Sequence, residues 1–384
     1  MRLLDCLGRP VSEDIVAAQN LPGFARSSVD GFAIRAEDCF GASEQNPIFL
    51  DLLGAVAMGQ AAELDYEKGG LVEVPTGGAL PAGANAVVMV EDTQALGEAS
   101  VEVRRAVAPG ENVIGEADDV AKGDVVLVAG QVVTAAHIGL LAALGIKELS
   151  VYEPLDVAVL ATGDEVVPYS VEEVAPGCVR NVNSPLIRAM MADSGHKAKD
   201  FGIVRDDPKE LELVMRRALA NYDVLLVSGG SSAGARDFTC QVIEKLEGGA
   251  VDIHGLRLAP GKPTILGRAL GKPVIGLPGH PVSCAVVVDR VVRPLLRRLA
   301  GEGTWLHGAT RMVTMAENVS AKPGREEYVR VRLEEKDGEW LAYPVRGPSG
   351  AVATLAKADG VVLIPLEIEG VAAGTKVAFF DLAK

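Results

Sequence analysis

From about residue 151 the chain alternates short, continuously apolar runs with longer amphipathic ones, and this rhythm limits the fold more than any other feature. "DVAVLAT" (156–162), "KDFGIV" (199–204) and "DVLLVSGG" (223–230) are short and apolar enough to be buried strands. "NSPLIRAMMADSG", "DPKELELVMRRALANY" and "ARDFTCQVIEKLE" follow them with helical spacing. Strands separated by helices predict a mostly parallel sheet covered on both faces. Ligands of such sheets sit beyond the carboxyl ends of the strands. Asp207, Pro208 and Glu210 read as a helix cap with a first-turn proline, and Ser184 before Pro185 reads as another. "PTILGRALGKPVIGLPG" reads as a strand pair leading into one long helix over about 281–300.

The flanks have a different texture. Residues 22–133 are short apolar runs broken by Pro and Gly, which predicts a β-rich module. Within it, Asp30-Gly31 of "ARSSVDGFAIR" reads as a hairpin tip. Residues 1–20 suggest a short helix with Ser12 as its cap. "TAAHIGLLAALGIK" predicts a helix capped by Thr134 and stopped at Gly145. After residue 304 the pattern is β again, with a hairpin turning at Asp337-Gly338. The expected class is α/β multidomain. Helical segments 1–21 and 134–150 bracket a β-rich small domain (22–133), followed by an α/β domain (151–303) and a C-terminal β-barrel (304–384).

Charge and composition remove several classes of function. The net charge is −15, and no basic footprint for a nucleic-acid duplex is present. Aromatics are only 4%, too few for base-stacking platforms. The five cysteines are widely spaced with no C-x-x-C, which predicts free thiols in a reducing cytoplasm. No signal-like segment or membrane-length apolar run is evident, so a cytoplasmic protein without membrane contact is expected.

The strand-end loops carry the chemistry. They hold Thr162, Gly163, Asp164 and Glu165; then Asp206 and Asp207; then Ser228, Gly229, Gly230, Ser231 and Asp237. "APGKPT" adds Pro260, Gly261, Lys262 and Pro263, and "GLPGHPVS" adds Pro278 and Gly279. Singly each has a plain reading: a Gly-Gly turn, or an N-cap at Asp207. "PGKPT" is not a phosphate loop, because Pro263 stands where Ser or Thr is needed. Gathered at one sheet edge, Gly-rich backbone beside helix starts suits phosphate, and several carboxylates suit Mg²⁺. The pattern points to a phosphorylated or nucleotide-bearing substrate with Mg²⁺ assistance.

The same residues resemble the MoeA family of molybdopterin molybdenumtransferases, which includes the C-terminal part of gephyrin. The resemblance runs nearly end to end through "LPGFARSSVDGFAIR", "VPTGGALPAGANAVVMVEDT", "GENVIGEADDV", "LATGDEVV", "IVRDDP", "SGGSSAGARDFT", "APGKP", "GLPGHPVS" and "GPSGAVATLAKADGVVLIP". It implies a MogA-like α/β domain and a homodimer whose site is built across the subunits. The activity implied is molybdate insertion into adenylylated molybdopterin, with Mg²⁺-assisted hydrolysis and release of AMP. It places catalytic roles on Asp30, Thr76, Asp119, Glu165 and Asp237, and metal roles on Glu165, Asp207 (or its neighbour Asp206) and Asp237. Molybdate would meet Lys262, Pro263, Arg325 and Ser349. A MogA-type adenylyltransferase and molybdoenzymes are the implied partners. Several positions depart from the family pattern. Ala259 and Cys240 stand where lysines are usual, and His280 stands where Asn is usual. "IGEAD" replaces an Arg-rich run, and Met1 lies close to "GR", implying a later start or an abbreviated first helix. Fewer cations leave molybdate against tungstate open. A tungstate-inserting paralogue and a non-catalytic pterin-binding scaffold are the alternatives.

Overall fold

The computed structural model describes residues 1–64, 66–97, 99–229, 235–303 and 308–382, and of 235–237 only the backbone. The chain forms two units: residues 1–7 with 11–151, and residues 8–10 with 152–384.

The main sheet of the first unit is built from β1 (Gly31–Ile34), β2 (Ile48–Ala55), β3 (Gly70–Val74), β4 (Ala86–Met89), β5 (Thr93–Leu96) and β6 (Ser100–Val103). They form one sheet in the order β4-β1-β3-β2-β6-β5. Side chains alternate across a strand, and here both sets are buried. Phe32, Ile34, Leu71 and Val88 enter one core, while Ala33, Val72, Val74 and Val87 enter another. Helix α1 (Ala135–Ala143) starts at Thr134, as its sequence predicts. Thr134 Oγ1 accepts from the His137 N–H, and the His137 ring accepts from the Thr134 N–H.

Two local expectations fail in this unit. Asp30-Gly31 is not a hairpin tip: neither residue has a positive φ, and β1 pairs with β3 and β4 rather than with the chain before it. Gly31 is needed for close approach instead, since a Cβ there would lie 2.0 Å from the Val88 carbonyl oxygen. The helix expected after Ser12 is also absent. Ile15–Val16 is a short strand paired with Val125–Leu127, and Asp14 accepts from the Ala129 N–H. A single helical turn with no long apolar face does not outcompete that pairing.

The second unit contains the α/β layer: β7 (Asp156–Thr162), α2 (Asn183–Asp193), β8 (Lys197–Val204), α3 (Pro208–Asn221), β9 (Val224–Gly229), α4 (Ala235–Lys245), β10 (Ala250–His254), β11 (Ile265–Ala269) and β12 (Lys272–Leu277). Its sheet runs β8-β7-β9-β12-β11-β10. The first four strands are parallel, and β11 and β10 complete it antiparallel. Val157 and Val159 pack into one core and Ala158 and Leu160 into the other, so the sheet is covered on both faces. Asp207 caps α3 as predicted, accepting from the Lys209 N–H. Ser184 does not cap α2; it lies inside the helix, and its N–H donates to Asn181 Oδ1.

The helix expected over 281–300 is interrupted. It divides into α5 (Pro281–Val287), a π turn (Val288–Val292) and α6 (Arg293–Leu299). Pro294 cannot donate to the preceding turn and its ring crowds that turn's carbonyl, and the widened π turn accommodates it. The turn carries a buried ion cluster: Arg290 and Arg293 both pair with Asp289, and Arg293 also reaches Asp193.

The last layer is a closed five-stranded barrel: β13 (Arg311–Met315), β14 (Glu326–Lys336), β15 (Glu339–Pro344), β16 (Gly360–Ile364) and β17 (Lys376–Asp381). The order β14-β15-β13-β17-β16 closes back on β14. Asp337 and Gly338, at φ 52° and 80°, turn the β14–β15 hairpin as the sequence predicts. Arg290 reaches from the π turn to within 4.3 Å of the Phe380 ring centre, tying the barrel to the α/β layer.

Candidate functional site

A cavity of about 820 Å³ opens where parallel-sheet physics puts it, past the carboxyl ends of the strands. Thr162, Gly163 and Glu165 line it after β7, Asp206 after β8, Ser228 and Gly229 from the end of β9, and Gly279 and His280 after β12. Thr162 and Gly229 are register partners on adjacent strands. Gly229 has φ 118°, and a Cβ there would lie 2.1 Å from the Thr162 carbonyl oxygen. Only glycine lets these two strand ends come this close.

Three carboxylates gather on the β7–β8 side. The Asp206 N–H donates to Asp164 Oδ1 at 3.4 Å. Burial pushes the Asp206 carboxyl above its usual range, and the neighbouring charges of Asp164 and Glu165 push it further. Of the two acids in "RDDP", Asp206 is the one lining the cavity; the Asp207 carboxylate is engaged as the α3 cap. Hard oxygen donors such as Glu165 and Asp206 suit Mg²⁺. Among the described residues no three acid, thiol or imidazole side chains already stand together as a metal cluster. Gly230 and Ser231 lie outside the described residues. Asp237 falls in the first turn of α4, and its side chain lies outside the described residues too.

Two cavity residues carry no sequence signal that singles them out. Asn183 is buried, and its Nδ2 donates to Ser228 Oγ at 2.7 Å and to the Gly279 carbonyl at 2.8 Å, bracing the β9 and β12 loops. Arg180 donates to the carbonyls of Val171 and Glu172, holding the loop that leads back to Cys178 and the cavity wall.

The barrel closes one side. Gly350 and Val352 line the cavity, and the Val282 N–H donates to the Ser349 carbonyl at 3.1 Å. Ser349 Oγ lies 2.8 Å from His280 Nδ1. Arg330 reinforces this segment by donating to the Gly347 carbonyl and to Thr354 Oγ1.

The remaining candidates do not line this cavity. Pro260, Gly261, Lys262 and Pro263 follow the two-residue strand Leu258–Ala259, which pairs with Glu326–Glu327 beside Arg325. This brings Lys262, Pro263 and Arg325 into one neighbourhood. Ala259 is buried there. The Pro278 carbonyl faces Asn183 Nδ2 at 3.5 Å. Cys240 Sγ lies 3.9 Å from His254 Nδ1.

In the first unit, Asp30 and Thr76 meet directly. The Thr76 N–H and hydroxyl both donate to Asp30 Oδ1, at 2.7 and 3.0 Å. These bonds hold the exposed Asp30 carboxyl below its usual range. Thr76→Val is therefore expected to raise the Asp30 titration point, read by NMR of its carboxyl carbon. Stability from those bonds is present above the unfolded carboxyl range and is lost as pH falls through the lowered value. An unshifted titration would refute the pairing. Asp119 borders a separate hollow of the same unit with Asp118 and Arg26.

Comparison with known proteins bears on the family and the fold. Residues 1–145 match the "MoeA N-terminal region (domain I and II)", 158–298 the "Probable molybdopterin binding domain", and 312–382 the "MoeA C-terminal region (domain IV)". Molybdopterin molybdenumtransferase 2 of Mycobacterium tuberculosis is 33% identical over 99% of this chain and 94% of its own length. The molybdopterin molybdenumtransferase of Bacillus subtilis is 32% identical over 98% and 87%. A crystal structure of the molybdopterin biosynthesis MoeA protein from Pyrococcus horikoshii is 34% identical, with a TM-score of 0.82, covering 100% of this chain and 93% of its own. With its three parts matched in order over nearly their full length, the chain belongs to the MoeA family of molybdopterin molybdenumtransferases.

Proposed function

We propose that the chain transfers molybdenum to molybdopterin in molybdenum cofactor biosynthesis, acting on the adenylylated pterin and molybdate. The observation carrying this reading is the cavity at the ends of β7, β8, β9 and β12, with acids on one side and the barrel segment with His280 on another. Its volume falls in the range of small-molecule and cofactor sites. A phosphoanhydride substrate needs its charge neutralised and its attacking water oriented. Glu165 and Asp206 are the residues that would hold Mg²⁺ beside the substrate phosphates. The bound ion would supply Lewis-acid neutralisation of the leaving AMP. Glu165 would orient the water whose oxygen joins phosphorus as the pterin–adenylate P–O bond breaks. Lys262, Pro263 and Arg325, with Ser349, would receive the oxyanion.

Asp30 and Thr76 would complete the site from a second copy of the chain. What supports this is an exposed carboxylate, oriented by two hydrogen bonds and held ionised. Incubating the folded protein with adenylylated molybdopterin, molybdate and Mg²⁺ is expected to release AMP and molybdenum cofactor. No AMP release from folded protein would sink the reading in favour of a pterin-binding scaffold. A strong preference for tungstate would move it to a tungsten-inserting enzyme.

A further inference from the structure

The cavity as built is poor in cations for a substrate rich in phosphate. Glu165 and Asp206 face it from the β7 and β8 loops, with Asp164 behind Asp206. Cys178 and Arg180 face it from the preceding loop, and Arg180 already donates to the Val171 and Glu172 carbonyls. From the barrel come only Gly350 and Val352; Arg330, behind them, is engaged with Gly347 and Thr354. Among the described lining residues this leaves His280 as the one side chain that can gain positive charge there.

Its setting suits that change. Ser349 Oγ stands 2.8 Å from His280 Nδ1, and a hydroxyl can donate to a neutral ring nitrogen or accept from a protonated one. The ring therefore keeps its partner and its orientation in both charge states. The Ser349 backbone is itself held by the Val282 N–H, so this partner does not drift. With Nδ1 occupied, Nε2 is the atom left for a ligand.

We propose that His280 is the anion-side donor of this cavity, binding a substrate oxyanion through Nε2–H and taking up a proton from solvent as the anion arrives. The opposite charge favours the imidazolium, and the charge-assisted hydrogen bond holds the oxyanion. The inference rests on the molybdenumtransferase reading for its ligand class, a phosphoryl or molybdate oxyanion. It adds a specificity-determining residue to that reading and makes its anion binding proton-linked.

Calorimetry tests it with AMP and, separately, with molybdate. At about pH 8 both are fully ionised, phosphomonoesters having a second pKa near 6, so any proton counted belongs to the protein. Titrations in two buffers of different ionisation enthalpy count the protons taken up. Wild-type protein is expected to take up a substantial fraction of one proton per anion. His280→Asn is expected to take up none and to bind roughly tenfold more weakly, the scale of one charge-assisted hydrogen bond. His280→Gln, a neutral donor of longer reach, is expected to recover part of the affinity with no uptake. Unchanged melting temperatures in both variants, His280 being exposed, show that folding is intact.

Uptake that survives in both variants would belong to another group, Asp206 first, and overturns the inference. AMP release in the turnover assay without proton uptake by the wild type overturns it while leaving the proposed function standing. A wild-type protein that neither binds the anions nor turns over overturns both.

Discussion

Gly229→Ala is expected to destabilise the second unit by about 3–5 kcal/mol and to lower its melting temperature by about 10 °C. Two costs add. The backbone at φ 118° is one that residues with a Cβ rarely adopt, and the new methyl would stand 2.1 Å from the Thr162 carbonyl oxygen. That neighbour is backbone of a central strand, in register with Gly229 itself, and cannot swing aside as a flexible side chain would. Relief requires β7 and β9 to part at the ends that form the cavity floor, so anion binding should weaken together with stability. Circular dichroism melting of the variant, with AMP titration of the protein that remains folded, reads both effects. A melting point within about 2 °C of wild type would mean that the strand ends are not held this closely.

How much of this was legible beforehand depended on the range of the forces involved. The alternation of strands and helices after residue 151 could be read because the central strands β7 and β9 are buried on both faces and α3 carries its own start signal. Asp207-Pro208 is the clear case: the cap is a contact between residues two apart. Asp337-Gly338 likewise needs only its own backbone. Asp30-Gly31 carries the same dipeptide signal and fails, because β1 takes partners at Val74 and Met89 that no local pattern encodes.

The site shows the same division. Glu165, Ser228 and Gly229 were legible as strand-end residues of an α/β sheet. That Asp206 rather than Asp207 lines the cavity follows from the cap consuming its neighbour, which only the start of α3 reveals. Asn183 and Arg180 act by bracing backbone carbonyls, a role any polar side chain could fill in a sequence reading. The Ser349–His280 contact joins residues 69 apart across two layers, and its pattern in the sequence is no more than two polar letters.

The largest expected effect concerns the two acids that sit in different units. Glu165→Gln and Asp30→Ala should each lower AMP release by on the order of a hundredfold or more if one orients water or metal and the other completes the site. Glu165→Gln should cost little stability, and Asp30→Ala only what its two bonds from Thr76 contribute. Asp30 is exposed, and Glu165→Gln removes one of the charges that burden Asp206. That loss of charge should also let the Asp206 carboxyl return toward its usual range. Mixing the two inactive proteins then separates a site within one chain from a site shared between copies. In a heterodimer of the two variants, one of the two shared sites receives an intact Glu165 from one copy and an intact Asp30 from the other. The second receives both lesions. Random exchange makes half the dimers mixed, so about a quarter of wild-type turnover should return after co-expression or subunit exchange. A site complete within each chain predicts no recovery at all, because every chain in the mixture carries a lesion. Recovery is thus a positive signal that neither misfolding nor an indirect effect of either substitution can imitate. Its absence, with dimers confirmed by sedimentation, would return Asp30 to the role of a carboxylate that orders the Thr76 loop.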